Sequence, residues 1–159
     1  MSESKECLPA GSAVVRVEIQ IDAPVERTWQ CMVEDVTQWW RQDFLICQGS
    51  KGMFMDQRIG GHLYEKIDDE GGGHIWGNII SFQPPLLLGC VAQIVPPWGG
   101  PAQSVIMISL EESDGGTLLT LTDSLIGNVT DEMLNSMDEG WKMLYGEGGL
   151  KTYVESKNS

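Results

Sequence analysis

The chain has 159 residues, 42% of them hydrophobic, with 23 acidic against 10 basic side chains and a formal net charge of −13. That length gives one domain able to bury a true core, and the composition is that of a folded globule rather than a disordered chain. The acidic excess, with basic residues scattered singly, excludes nucleic acid and disfavours anionic membrane surfaces, since phosphate binding needs clustered Lys and Arg.

Met1–Ala13 reads as a flexible polar tail; it has neither the basic start nor the apolar run of a signal peptide, and the domain proper is expected over residues 14–156. No apolar stretch approaches the length of a membrane span. Cys7, Cys31, Cys47 and Cys90 show no paired spacing, so reduced thiols and a cytoplasmic protein are expected.

Val15, Val17, Ile19 and Ile21 alternate with polar residues, a strand with one wet face. Pro24 and Glu26 suit the start of a short helix over 25–33 that carries Trp29 and Met32 inward. A second short helix around 36–41 brings Trp39 and Trp40 together. Strands are predicted over Phe44–Cys47 and Met53–Met55, flanking the turn at Gly49–Gly52, and then over His62–Ile67, His74–Phe82, Leu86–Val95, Gln103–Glu111 and Thr117–Ser124. Polar glycine-rich hairpin loops and a stiff Pro96–Pro101 segment separate them, so the sheet is expected to be antiparallel.

The stretch Thr130–Ser156 closes the chain. Thr130 is a plausible N-cap, Asp131 and Glu132 favour the first turn, and Leu134, Met137, Trp141, Leu144, Tyr145, Gly148 and Thr152 recur at helical spacing. About 25 residues at roughly 1.5 Å each would make a rod of about 37 Å. Gly140, Gly146, Gly148 and Gly149 are costly there, which implies either ordinary packing with a kink near Gly148 or a use for the space they leave. Met143, Leu150 and Val154 form a second apolar strip on the opposite side of that wheel.

Six motifs in order, Ile19–Trp29 (IQIDAPVERTW), Trp39–Trp40, Asp56–Leu63 (DQRIGGHL), Gly77–Leu86 (GNIISFQPPL), Gly115–Ser124 (GGTLLTLTDS) and Gly140–Trp141, resemble those of the START-like (SRPBCC, helix-grip) superfamily. Within it, the chain is similar to the C-terminal domain of the activator of the heat-shock-protein-90 ATPase, from about Val14 to Val154. The resemblance implies an α+β helix-grip fold, a curved antiparallel sheet wrapped round a long C-terminal helix with two short helices after the first strand. It does not fix an activity: members bind lipids, hormones or polyketides, and some are cyclases, aromatases or dehydratases. The eukaryotic co-chaperone carries an N-terminal domain with no counterpart in these 159 residues, so its Hsp90 activity is not carried over. The last strand of this subgroup often ends in histidine where this chain has Asp123, so a role for that imidazole does not transfer either.

Among residues that could carry chemistry, His62 and His74 lack partners at metal-ligand spacing and read as solvated or locally bonded, with no metal or other cofactor implied. Glu65 shares a strand face with Leu63 and Ile67; if that face points inward, its pKa should rise in an apolar space, and if not, His62 and Tyr64 point in. Asp123 shares a face with Leu119 and Leu121; bonding to backbone or an arginine at a strand end is set against a functional buried carboxylate. Tryptophan and methionine suit a plastic apolar pocket, and Trp98, in its Pro-Gly loop, suits a lid.

The expected function is binding of a small apolar or amphipathic molecule between helix and sheet. Met137, Trp141, Tyr145 and Gly148 would line it from the helix and Trp40, Phe54 and Trp76 from opposite, with Trp98 at the lid and Glu65 or Asp123 orienting the ligand. A cyclase or hydro-lyase using Glu65 or Asp123 as general base is the alternative. A third reading is an interaction module, co-chaperone-like, with the strip Met143, Leu150 and Val154 giving at least a homodimer.

Overall fold

The computed structural model describes residues 5–157. The first four residues of the tail read at Met1–Ala13 therefore lie outside the described residues, and the first strand, β1 (Gly11–Ile21), begins inside that tail. Two helices follow, α1 (Val25–Glu34) and the single turn α2 (Val36–Trp39), then six strands: β2 (Met53–Met55), β3 (His62–Lys66), β4 (Gly73–Gln83), β5 (Leu87–Ile94), β6 (Ala102–Ser113) and β7 (Gly116–Gly127). Helices α3 (Asp131–Tyr145) and α4 (Leu150–Ser156) complete the chain.

All seven strands form one antiparallel sheet in the order β1-β7-β6-β5-β4-β3-β2. Only the first crossing is non-local, because β1 returns to pair with β7; every other neighbour is a hairpin partner. Register irregularities at Leu63/Tyr64 and Ile79/Ser81 bend the sheet about its concave face, as an extra residue in one strand does. That face carries the inward set of each strand, among them Val17, Ile19 and Ile21 from β1 and Leu119, Leu121 and Leu125 from β7. Trp29 packs on Phe82 at 5.4 Å between centroids, so α1 closes one end of the core.

Phe44–Cys47 is not a strand. Gln42–Phe44 forms one 3-10 turn and the following residues run irregularly, because the backbone N–H groups of Ile46 and Cys47 are taken up by a side chain rather than by a ladder.

The predicted single rod over Thr130–Ser156 is two helices. Thr130 caps α3 as read, its Oγ1 accepting from the N–H of Met133 at 3.1 Å. The interruption at Gly146–Gly149 is steric. A Cβ at Gly149 would lie 1.9 Å from the carbonyl oxygen of Leu144, one at Gly146 would lie 2.4 Å from that of Lys142, and Gly148 has φ +85. The break changes the phase of the helix, and the expected sticky strip disappears with it: Leu150 and Val154 are fully buried and only Met143 is exposed. Lys151 Nζ to the Gln20 carbonyl (2.6 Å) and Asp22 N–H to Glu155 (3.1 Å) fix α4 to the end of β1.

Gly140 behaves differently, since a Cβ there meets nothing within 4 Å. Gly140→Ala is therefore expected to raise stability by about 0.5–1 kcal/mol, whereas Gly149→Ala should lower it by about 3 kcal/mol or more. Urea unfolding of the two variants checks this; similar effects from both would remove the steric account of the break.

Candidate functional site

Between α3 and the concave face of the sheet lies a cavity of about 330 Å³. Helical spacing puts Met137, Trp141 and Tyr145 on one row of α3 and Ser136, Gly140 and Leu144 on the next, and both rows line it. Trp39 and Trp40 enter from the end of α2, while Trp76, Leu88, Cys90, Ile106 and Ile108 come from alternate positions of β4, β5 and β6. The rings form a connected set: Trp39 to Trp40 at 5.5 Å, Trp39 to Tyr145 at 5.3 Å, Trp40 to Trp76 at 5.4 Å and Trp141 to Tyr145 at 5.9 Å. All four pairs are tilted or edge-on, the geometries aromatic quadrupoles favour. The indole N–H of Trp40 is buried without an acceptor among the described residues, a cost of about 1–3 kcal/mol that a purely structural wall would avoid.

At the rim, Trp98 is 47% exposed and meets His74 edge-on at 4.8 Å. Its loop is joined to the start of α3 by Asn128, whose side chain donates to the Gly99 carbonyl (3.0 Å) and whose N–H donates to that of Pro101 (2.9 Å). Trp98 thus stands at the cavity mouth. His62 lies elsewhere, its Nδ1 3.6 Å from Asp56 on the outer face.

Two of the expected lining residues are not in the wall. Phe54 falls between Met53 and Met55 on a strand, so when those two point inward it points out, stacking on Tyr64 at 5.8 Å. Gly148 sits in the interhelical turn, where its N–H donates to Thr152 Oγ1 (2.9 Å). Trp40, Trp76, Trp98, Met137, Trp141 and Tyr145 do line the cavity.

The two carboxylates differ. Glu65 is inward and 1% exposed, but it belongs to a structural clamp and not to the cavity wall. Ile46 N–H (3.0 Å), Cys47 N–H (2.7 Å) and Trp76 Nε1 (3.1 Å) all donate to it. Burial alone pushes its pKa up, yet these bonds, with one from Ser50, together hold it below the ordinary value. The rise expected for an inward Glu65 is overturned, because the space it enters is full of donors. Outside the cavity wall and engaged by these donors, Glu65 reaches the cavity only through Trp76.

Asp123 is fully buried and, among the described residues, is the one carboxylate in the cavity wall. It does not bond backbone or arginine at a strand end; β7 runs on to Gly127, and the partners of Asp123 are the Ser104 hydroxyl and the indole N–H of Trp141 at 2.9 Å. Burial raises its pKa, and these two bonds only partly offset that. Ser104 escaped the sequence reading, although its signal was present: it occupies the inward register of Ile106, Ile108 and Leu110 on β6. Burial also drives the Cys90 thiol to about 11 and the Tyr145 phenol upward, so neither is a ready nucleophile. Among the described residues no group of three His, Cys, Asp or Glu side chains could hold a metal ion, and no helix is long and apolar enough to cross a membrane.

A curved antiparallel sheet gripping a C-terminal helix over an aromatic cavity is the helix-grip architecture of the START-like class. The chain matches the family model of the Activator of Hsp90 ATPase homolog 1-like protein over residues 22–155 and belongs to that family. The fold is shared with an uncharacterized protein from Rhizobium leguminosarum (18% identity, 93% of this chain and 97% of that one, TM-score 0.68). It is also shared with Ara h 8.0201 (12%, 92% and 99%, 0.69) and with a Cytophaga hutchinsonii protein of known solution structure (22%, 92% and 96%, 0.65). At these identities the likeness concerns the fold alone. No curated protein matches the chain.

The two carboxylates predict opposite pH effects. The folded pKa of Glu65 lies below its unfolded value, so its stabilisation is complete above that value and is lost as pH falls through the folded one. For Asp123 the folded value is raised, so ionisation costs stability above it and the cost fades as pH falls. Glu65→Gln should therefore lose at least about 2 kcal/mol at neutral pH, and the gap from wild type should narrow as pH drops below the ordinary 4.5. Urea unfolding at pH 7 and pH 3 measures both; a gap of constant size would mean that the bonds do not depend on an ionised carboxylate.

Proposed function

We propose that this protein binds a small apolar or amphipathic molecule in the cavity between α3 and the sheet. The observation that carries this reading is a hollow of about 330 Å³ walled by aromatic and aliphatic side chains, with a single carboxylate, the pattern of a ligand site rather than of a packed core. Trp141, Tyr145 and Met137 supply the helical wall and Trp40 and Trp76 the facing one, with Trp98 at the mouth. Asp123 acts through Trp141, fixing the indole against the sheet. Gly140 adds to the argument, because the helix accepts its cost in the wall of the open space.

The raised pKa of Asp123 favours a second reading, an enzyme of cyclase or hydro-lyase type with Asp123 as general acid or base. Binding is preferred, because Asp123 has no exposed surface and both of its oxygens are engaged. Native mass spectrometry of protein isolated from its own host tests the binding reading; a bound small molecule near one per chain supports it, and an empty chain that also ignores apolar probes refutes it.

Met137→Ala should weaken binding of the neutral probe N-phenyl-1-naphthylamine by about threefold or more while lowering stability by less than the equivalent free energy, because Met137 lines the cavity and is only partly buried. Fluorescence titration and urea unfolding give the two numbers, and equal losses would identify Met137 as core.

A further inference from the structure

We infer that the cavity selects lipophilic ammonium cations over uncharged and anionic molecules of the same shape, an inference that rests on the binding reading above. Two tryptophans of the wall carry a buried carboxylate behind the ring. Trp141 donates its indole N–H to Asp123 at 2.9 Å, and Trp76 donates its own to Glu65 at 3.1 Å. Both carboxylates are essentially without exposed surface, so each acts through its indole and not by touching a guest. Donation to an anion polarises the indole and makes its π face more negative, which strengthens attraction for a cation over that face.

Trp40, Trp98 and Tyr145 extend the aromatic surface around the same space, while Phe44 already has the Arg41 guanidinium 5.6 Å from its ring centroid. Among the described residues the wall contains no lysine or arginine, and its single histidine, His74, lies at the rim against Trp98. An anionic headgroup would find the unpaired indole N–H of Trp40 but no lysine or arginine in the wall, and would face two buried carboxylates in a medium where charge interactions are strong. The net charge of −13 adds a field that gathers cations at the mouth. Aromatic residues at this density without carboxylates behind them would suit any flat apolar guest; the backing carboxylates and the missing basic side chains are what point to positive charge.

Octyltrimethylammonium, octanol and octyl sulfate share one apolar chain and differ only in headgroup charge, so they separate the cases. Binding to the full chain is followed by isothermal titration calorimetry in about 0.3 M sodium chloride, where screening over roughly 6 Å suppresses the surface field. The cation is expected to bind at least about tenfold more tightly than octanol, with octyl sulfate weaker than both. Its advantage over octanol should fall below about threefold in Asp123→Asn or, if that variant does not fold, in Trp141→Phe, which keeps a ring but loses the N–H. Octanol or octyl sulfate binding as tightly as the cation overturns the inference and leaves the cavity reading standing. A cation advantage that survives in the variant overturns it too, since the selectivity would then not depend on the carboxylate behind Trp141. If none of the three binds, the inference falls together with the binding reading.

Discussion

The glycine break between α3 and α4 is the constraint on which the rest of this domain depends. The carbonyl oxygens of Lys142 and Leu144 occupy the positions a side chain would need at Gly146 and Gly149, so only glycine lets the chain turn there. A continuous helix would present Trp141 and Leu150 on different sides. Broken, it sends both inward, and the two helices then have different tasks. The apolar residues of α4, Leu150 and Val154, fill the core beside β1 and α1. The inner rows of α3 face open space. One domain thereby holds a solid half, which supplies the stability, and a hollow half, which the solid half can sustain.

The polar groups follow the same division. Glu65 lies where an irregular segment must satisfy its own backbone, and the carboxylate gathers the N–H groups of Ile46 and Cys47 that no strand accepts. Asp123 lies on a regular strand with no such need, and its partners are a serine of the neighbouring strand and a tryptophan of the helix above. The first carboxylate is held ionised by a dense set of donors. The second carries more of the cost of burial, and groups whose burial is tolerated at a cost gather at sites with a task beyond folding.

Much of this was legible in the sequence. Alternation placed β1, β4, β5, β6 and β7, and the Thr130 cap placed the start of α3, because each rests on a local signal that burial of one face enforces. The Phe44–Cys47 segment was misread since an apolar run with no polar alternation suits strand or loop equally, and its deciding partner, Glu65, lies almost twenty residues on. Phe54 and Gly148 failed as site residues for reasons of phase: a shift of one residue in a strand, or a break in a helix, reverses which side faces in. Trp40, Trp76, Trp98 and Trp141 reach the cavity wall because bulky aromatics have few places to go in a small domain. Ser104 was missed because a serine between apolar neighbours is unremarkable until the strand pairing puts it beside Asp123.

Helix α3 is secured unequally along its length. Only Leu144 and Tyr145, at its C-terminal end, are buried, and Trp141 ties that same half to the sheet. Its other end is joined through Asn128 to the loop that carries Trp98. The front of the helix, where Leu134 and Met137 are only partly buried, and that loop are therefore joined to each other and held less firmly than the end of the helix. A segment held in this way opens at a free energy well below that of global unfolding. On the binding reading proposed above, the residence time of a guest would be set by this local opening, and the domain could be made more stable without making a guest slower to leave.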